Sequence, residues 1–160
     1  MSSWPVGKDQ LLELLGSREL ERVVPNPEHA SRLLEECRGH IVSGRTIGES
    51  DPTGAYQLGY SALRKACAAL LAHQGLRATK AGGHIAVFEA VQAQFNGPHG
   101  SQSFTKLHYF RRMRGGAEYP TEDTAPTVPE DADDCLDRAE AVLADATKLL
   151  RSGKLDAFDG

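Results

Sequence analysis

The residues best suited to chemistry lie between Tyr109 and Pro120, in the stretch Tyr-Phe-Arg-Arg-Met-Arg-Gly-Gly-Ala-Glu-Tyr-Pro. Arg111, Arg112 and Arg114 are close together there, and Tyr119 follows. Each guanidinium is permanently charged and presents a rigid fork of donors that fits phosphate or carboxylate. Cations at the C-terminus of a helix also complement its macrodipole, by roughly 0.3–1 kcal/mol each when exposed. The sequence therefore allows two roles for the arginines, which are to bind phosphate or to stabilise the end of their helix.

The reaction that such residues could support is cleavage of RNA. A pair of arginines can clamp a phosphodiester, whose negative charge grows during in-line attack. A histidine such as His108 could move a proton, and the hydroxyl of Tyr119 could donate a hydrogen bond. RNA supplies its own nucleophile, the 2′-hydroxyl, which DNA lacks, so neither a metal nor a protein nucleophile is required. The candidate phosphate-binding residues are the cations of this region: Lys106, Arg111, Arg112 and Arg114.

Charge is spread unevenly along the chain. The formal net charge is −4 at pH 7, which argues against a surface that binds DNA nonspecifically over its whole extent. Residues 101–114 contain no acid, whereas the run from Glu118 to Asp145 is acidic and has Arg138 as its single Lys or Arg. The acidic run indicates either the solvated start of a helix or an electrostatic fence beside the arginines.

The cysteines and histidines show no spacing typical of a metal or redox site. Cys37, Cys67 and Cys135 are far apart in the sequence, which indicates small apolar core residues of a reduced protein. The six histidines include no HxxxH or HxH pair, so we predict no metal site and no cofactor. The N-terminus resembles no signal peptide, and no apolar segment is long enough to cross a bilayer. We therefore expect a soluble, cytoplasmic protein.

Capping residues and apolar periodicity predict an all-α, up-and-down bundle of about five main helices, with no strand. A short helix is expected over residues 8–15. Asn26-Pro27 and Asp51-Pro52 are start signals for two longer helices, and Gly75 is a natural end for the second. We divide the chain into three parts. Residues 1–26 are expected to be an N-terminal segment with a short helix, residues 27–150 the bundle, and residues 151–160 a frayed tail.

The helices of the second half follow from the same signals. His84, Phe88, Val91 and Phe95 share one face of a helix that follows Gly82-Gly83. The arginine-bearing helix is predicted to begin at Ser101 or Ser103 and to end at Gly115-Gly116. Thr127 and Glu130 have the form of a capping box. The last helix carries an apolar seam between Ala132 and Leu150, which fits a bundle core or a dimer interface.

Three other residues, Tyr56, Tyr60 and His84, are expected to have ordinary structural roles. Tyr56 and Tyr60 lie on the apolar stripe of the helix that begins at Pro52, so both are expected to pack in the core. His84 lies at a helix start, where a structural hydrogen bond is expected.

The order of these features resembles that of HEPN domains. The resemblance rests on the helix at residues 51–74, the loop Gly-Leu-Arg-Ala-Thr-Lys-Ala-Gly-Gly-His at residues 75–84, and the later Arg-Arg-Met-Arg-Gly-Gly-Ala-Glu-Tyr-Pro. It covers roughly residues 27–150 and is greatest for small prokaryotic, especially actinobacterial, members. It implies a helical bundle that dimerises, with two copies of the motif across a shared cleft. Many HEPN proteins are metal-independent endoribonucleases of toxin–antitoxin, abortive-infection or CRISPR-linked systems, and others bind nucleotide or RNA.

The HEPN catalytic motif is an arginine, four to six residues, and a histidine. Here Arg114 with four intervening residues, or Arg112 with six, leads to Tyr119 instead. The ordinary pKa of tyrosine, about 10, makes it a poor base near neutral pH. Three alternatives stay open: Tyr119 only stabilises charge, His108 supplies the imidazole, or the protein does not cleave.

Two functions follow from these alternatives. The first is a HEPN-type, metal-independent endoribonuclease of a toxin–antitoxin or phage-defence system, a homodimer that could have an antitoxin partner. The second is a non-catalytic helical dimer that binds RNA, nucleotide or a protein partner.

Overall fold

The computed structural model describes residues 4–160, and within them the chain is mostly helical, which confirms the predicted all-α class. Six α-helices and one pair of short strands follow one another along this part of the chain. In order they are α1 (Lys8–Gly16), β1 (Leu20–Arg22), α2 (Pro27–Ile47), α3 (Pro52–Gln74), β2 (Leu76–Ala78), α4 (Gly83–Phe95), α5 (Leu107–Glu118) and α6 (Pro129–Arg151).

The predicted start signals of the two long central helices are confirmed. Asn26 Oδ1 accepts from the His29 amide at 2.9 Å, and Asp51 Oδ1 accepts from the Gly54 amide at 2.9 Å. Both therefore satisfy an amide that has no partner within the first turn of its helix. Gly75 ends α3 with a φ of +76°, and a Cβ at this position would lie 2.8 Å from the carbonyl oxygen of Val23.

The prediction that the chain has no strand is wrong. β1 and β2 pair antiparallel, with Leu20 opposite Ala78 and Arg22 opposite Leu76. Leu20 and Leu76 are both buried. Each strand has three residues, which is too short for alternation of polar and apolar residues to be visible in the sequence.

The structure also differs from the predicted first and last residues of α5 and from the predicted start of α6. Ser101 begins a single 3₁₀ turn, Gln102–Phe104, and α5 itself begins at Leu107. α5 continues through Gly115-Gly116 to Glu118, because glycine inside a helix costs only about 1 kcal/mol relative to alanine. The cap of α6 is Val128, whose amide donates to Asp131 Oδ2 at 3.0 Å, so the predicted capping box is one residue too early.

α3 is the central helix of the bundle and contacts α2, α4, α5 and α6. Its apolar residues meet Phe88 and Phe95 of α4 in one core. The three cysteines are buried and free, as predicted from their spacing. Most of the apolar seam of α6 also faces this core, through Ala132, Leu136, Ala139, Leu143 and Ala146.

The prediction that the tail after Ser152 is frayed is wrong. Leu155 is buried, its carbonyl oxygen accepts from His73 Nε2 at 2.9 Å, and the Phe158 amide donates to the Gln74 carbonyl at 2.9 Å. Leu11 of α1 belongs to the same hydrophobic core. Both ends of the described chain thus pack onto the bundle. Among residues 4–160, no helix combines the length and apolar character needed to cross a membrane.

Candidate functional site

α5, which carries the arginines, is fixed to its neighbours at its first turn. Leu107 and Phe110 are buried. The Leu107 amide donates to Gln92 Oε1 of α4 at 2.6 Å, and the Tyr56 hydroxyl of α3 donates to the Phe110 carbonyl at 2.9 Å. These contacts set the rotation of α5 and therefore the direction in which each of its cations lies.

The predicted cations of α5 divide between two sides of the helix. Arg112 is exposed and lines a cavity between α5 and α6 together with Lys106 and His108. Arg114 lies on the other side, with its Cζ 5.4 Å from the centre of the Tyr60 ring of α3. The structure therefore does not bring all the predicted site residues into one cluster.

The α5–α6 cavity has a volume of about 850 Å³ and carries both signs of charge. Lys106, His108 and Arg112 lie on its α5 side, and Asp134, Asp137 and Arg138 lie on its α6 side. The acidic run is thus part of the start of α6 and also borders the arginine helix. With Arg138 of α6, the lining carries three cations and two carboxylates, and one of these carboxylates, Asp137, is ion-paired with Arg45 of α2.

The second side of α5 forms a cluster that the sequence did not predict as a unit. It consists of Tyr60, Arg64, His84, Arg111, Arg114 and Glu118, which we call the Tyr60–His84 cluster. The Tyr60 hydroxyl lies 2.8 Å from His84 Nδ1. Arg114 is ion-paired with Glu118 one turn further along α5. α3, α4 and α5 each contribute to this cluster.

Two guanidinium groups of the cluster have incomplete hydrogen bonding. Within residues 4–160, Nε of Arg111 and Nε of Arg114 are buried without a hydrogen-bond partner. Buried polar atoms in folded proteins are nearly always paired, with protein or with ordered water, so each of these donors can bind water or a further acceptor. Across the same residues, no group of three or more His, Cys, Asp or Glu side chains is arranged to hold a metal ion.

Burial and positive charge set the protonation states of the Tyr60–His84 pair. Burial raises the pKa of Tyr60 to about 12, although the charge of Arg114 acts in the opposite direction. The pKa of His84 is lowered by burial first, and then by the charges of Arg64 and Arg114. Near neutral pH the tyrosine is therefore protonated and the imidazole is neutral, which is the form a general base requires.

His108 has a different setting, on the cavity side of α5. Its ring makes an edge contact with Phe88, with 6.1 Å between ring centres. Burial and the charge of Arg111 lower its pKa. Its Nδ1 is buried and, within the described residues, has no hydrogen-bond partner. His108 is half-buried, and it shares the cavity with Arg112.

Tyr119 is the C-cap of α5, and its side chain is 71% exposed. It therefore lies on the surface at the end of the helix. Sequence reasoning missed Tyr60 and Arg64 as site residues and gave His84 only a structural hydrogen bond. The available signal was the spacing of Tyr60 and Arg64, which lie four residues apart and so share one side of a helix.

No protein-family model, curated protein or solved structure matches this chain.

Proposed function

We propose that this protein is an RNA-directed, HEPN-type endoribonuclease that binds RNA phosphate at the Tyr60–His84 cluster and cleaves without a metal ion. The observation that carries the proposal is the packing of Arg114 Cζ 5.4 Å from the centre of the Tyr60 ring, while the Tyr60 hydroxyl lies 2.8 Å from His84 Nδ1 and Arg64 lines a groove with His84. Arg111 lies one turn before Arg114 on α5, and Glu118 is the acid that pairs with Arg114. The cluster therefore has an excess of positive charge that a phosphodiester would neutralise.

The chemistry of the cluster favours RNA among phosphate ligands. Guanidiniums around a phosphate stabilise the charge that develops as the phosphorus is attacked. A neutral imidazole beside them can accept a proton. The nucleophile can come from the substrate, because the 2′-hydroxyl of RNA is adjacent to the phosphate. Lys106 and Arg112, exposed on the other side of α5, would contact RNA phosphates further along the strand.

The resemblance to HEPN domains supplies the rest of the proposal. The protein is a cytoplasmic homodimer with two copies of the site across a shared cleft, and its setting is a toxin–antitoxin or phage-defence system with a cognate antitoxin. Light scattering coupled to size-exclusion chromatography tests the dimer directly. A mass of one chain across a range of concentrations contradicts this part of the proposal.

The decisive experiment measures binding and cleavage of mixed RNA in the presence of a chelator. We expect Arg111→Gln and Arg114→Gln each to weaken RNA binding by about tenfold or more, since each removes a charged hydrogen-bond donor. Removing one arginine–phosphate interaction should also reduce the slope of log affinity against log salt by about 0.7. Arg32→Gln, an exposed arginine on α2, is the matched control and should keep the wild-type affinity.

A second candidate function is RNA binding without cleavage. The observation that favours it is Tyr119, which occupies the place of the motif histidine and lies exposed at the end of α5. In that case the wild-type protein binds RNA with the same sensitivity to salt and to the arginine variants, and no product forms. If RNA is neither bound nor cleaved, both functions are wrong.

A further inference from the structure

We infer that His84 is the general base of the proposed site and that Tyr60 is the residue that positions its ring. The inference rests on the proposed function, because it assigns a role in RNA cleavage. The arginine motif of this chain lacks its histidine, and in this inference His84, on a different helix, supplies the imidazole. The sequence alone does not indicate this role, since His84 lies thirty residues before Arg114.

The backbone that carries His84 is held in place. Gly82 is buried, and its amide donates to Thr79 Oγ1 at 3.2 Å. A Cβ on Gly82 would lie 2.1 Å from the carbonyl oxygen of Glu19, so the chain passes too close to its neighbour for any side chain. His84 follows two residues later, in the first turn of α4. Its position is therefore set by the contact between the start of α4 and the segment after α1.

The ring of His84 is oriented by one of its two nitrogens. Nδ1 is 2.8 Å from the Tyr60 hydroxyl, which leaves Nε2 for a substrate. His84 also lines a groove of about 400 Å³ that Arg64 shares. A histidine that is fixed through one nitrogen and borders a groove can act as a base if a substrate in that groove brings its hydroxyl within hydrogen-bond reach of Nε2.

The proposed step balances without a further reactant. The step uses the tautomer of His84 in which Nδ1–H donates to the Tyr60 oxygen and Nε2 carries the lone pair. Nε2 takes the proton of the 2′-hydroxyl, the 2′-oxygen bonds to phosphorus, and the bond from phosphorus to the 5′-oxygen breaks. The 5′-oxygen takes a proton from water, and the hydroxide that remains takes the proton from Nε2, which regenerates the neutral base. The products are a 2′,3′-cyclic phosphate and a 5′-hydroxyl, and Arg64, Arg111 and Arg114 stabilise the charge on the phosphate during the attack.

The two rival bases are in poorer positions. His108 borders the α5–α6 cavity, on the other side of α5 from Arg114, and its Nδ1 is buried against the protein. Tyr119 is exposed at the end of α5. In contrast, His84 lines a groove with Arg64 and contacts the hydroxyl of Tyr60, whose ring packs against Arg114.

The test compares cleavage and binding of the same RNA, with a chelator present, for wild type and variants. We expect His84→Ala to lower the cleavage rate by about 10²- to 10⁴-fold, while the affinity for RNA stays within about threefold of wild type. Added imidazole should restore part of the activity, which a merely structural role would not allow. Tyr60→Phe keeps the ring and should lower kcat with little change in KM. His99→Ala, an exposed histidine, is the matched control.

The pH profile supplies a second readout. kcat/KM should rise with pH through the pKa of His84, because only the neutral ring is a base. The charged and titratable groups that face this ring are Tyr60, Arg64, Arg111, Arg114 and Glu118. Arg64→Gln removes one positive charge and should move the acidic limb of the profile to higher pH.

Each outcome decides between the two proposals. Wild-type cleavage that persists in His84→Ala, or that is abolished in His108→Ala or Tyr119→Phe instead, overturns the role of His84 and leaves the proposed function intact. RNA binding without cleavage by the wild type also overturns it and favours the second candidate function. Absence of both binding and cleavage overturns the proposed function, and the inference with it.

Discussion

The arginines of the Tyr60–His84 cluster are placed for a ligand more than for the stability of the free protein. Arg111 and Arg114 lie one turn apart on α5, and both act on the Tyr60–His84 pair together with Arg64. Glu118 pairs with Arg114. Like charges that are partly removed from water repel each other, and their desolvation is not recovered without an anion. The fold therefore holds a group of cations, and replacing one that has no acidic partner is expected to stabilise the free protein.

We expect Arg111→Met to raise the free energy of unfolding by about 0.5–1 kcal/mol, because methionine keeps the aliphatic contact and removes an unpaired buried donor. The same variant should bind RNA more weakly. Arg114→Met is the contrasting variant, since it leaves Glu118 without its partner and should not stabilise. Urea unfolding at low salt measures both. A lower stability for Arg111→Met would mean that the charge of Arg111 is compensated in the free protein.

At the residue scale, the sequence predicted half of the candidate site. The spacing of Arg111, Arg112 and Arg114 was enough to place cations on one helix and to suggest phosphate. The division of these cations between two sides of α5 depends on which residues of that helix are buried, Leu107 and Phe110. Tyr60 was predicted to be core, and its side chain is indeed 2% exposed. Its hydroxyl nevertheless reaches His84, a contact that only the packing of α3 on α4 creates.

At the element scale, the predicted helix starts agree with the structure where a side chain caps the helix. They differ where packing against other helices sets the first residue. Asn26 and Asp51 are followed by proline and accept amide hydrogen bonds, so local chemistry alone defines these starts. α5 begins at Leu107 because that residue is buried and its amide meets Gln92. No local signal marks that position.

The close approach of α2 to α6 depends on Gly44. A Cβ at Gly44 would lie 2.7 Å from Leu136 Cδ2, and Leu136 is fully buried. We expect Gly44→Ala to lower the free energy of unfolding by about 1–3 kcal/mol, because the buried leucine has no room to move. Gly39→Ala in the same helix has open space around it and should raise that free energy by about 0.5–1 kcal/mol. Thermal or urea unfolding of the pair measures the difference, and equal effects would show that the helices separate freely.

At the scale of the whole molecule, one core joins parts that the sequence suggested were separate. Leu11 of α1 and Leu155 of the tail both belong to it. The tail contains too few apolar residues to show a pattern, so its docking could not be predicted. The main chain of Leu155 and Phe158 bonds with His73 and Gln74 at the end of α3. This end of α3 therefore holds the tail, while its middle carries Tyr60 and Arg64.

The stability of the whole molecule should fall as the pH is lowered, because three partly buried histidines resist protonation. Burial is the main cause that lowers the pKa of His40, His84 and His108 below the ordinary value of 6.5. Below about pH 6.5 the unfolded chain binds protons at these residues that the native state does not, so the unfolded state is favoured. Above this pH both states are neutral at these positions, and their contribution to stability is complete.

Urea unfolding between about pH 7.5 and pH 5 measures this dependence. The free energy of unfolding should decrease steadily as the pH falls through 6.5 and should level off only below the lowered native pKa values. His84→Gln and His108→Gln should each make the decrease shallower, and the matched control variant is His29→Gln, at an exposed histidine at the start of α2. The opposite sign, with stability rising as the pH falls through this range, would mean that the native imidazoles accept protons readily. His84 would then be protonated near neutral pH and could not act as the base, so this measurement also bears on the proposed site.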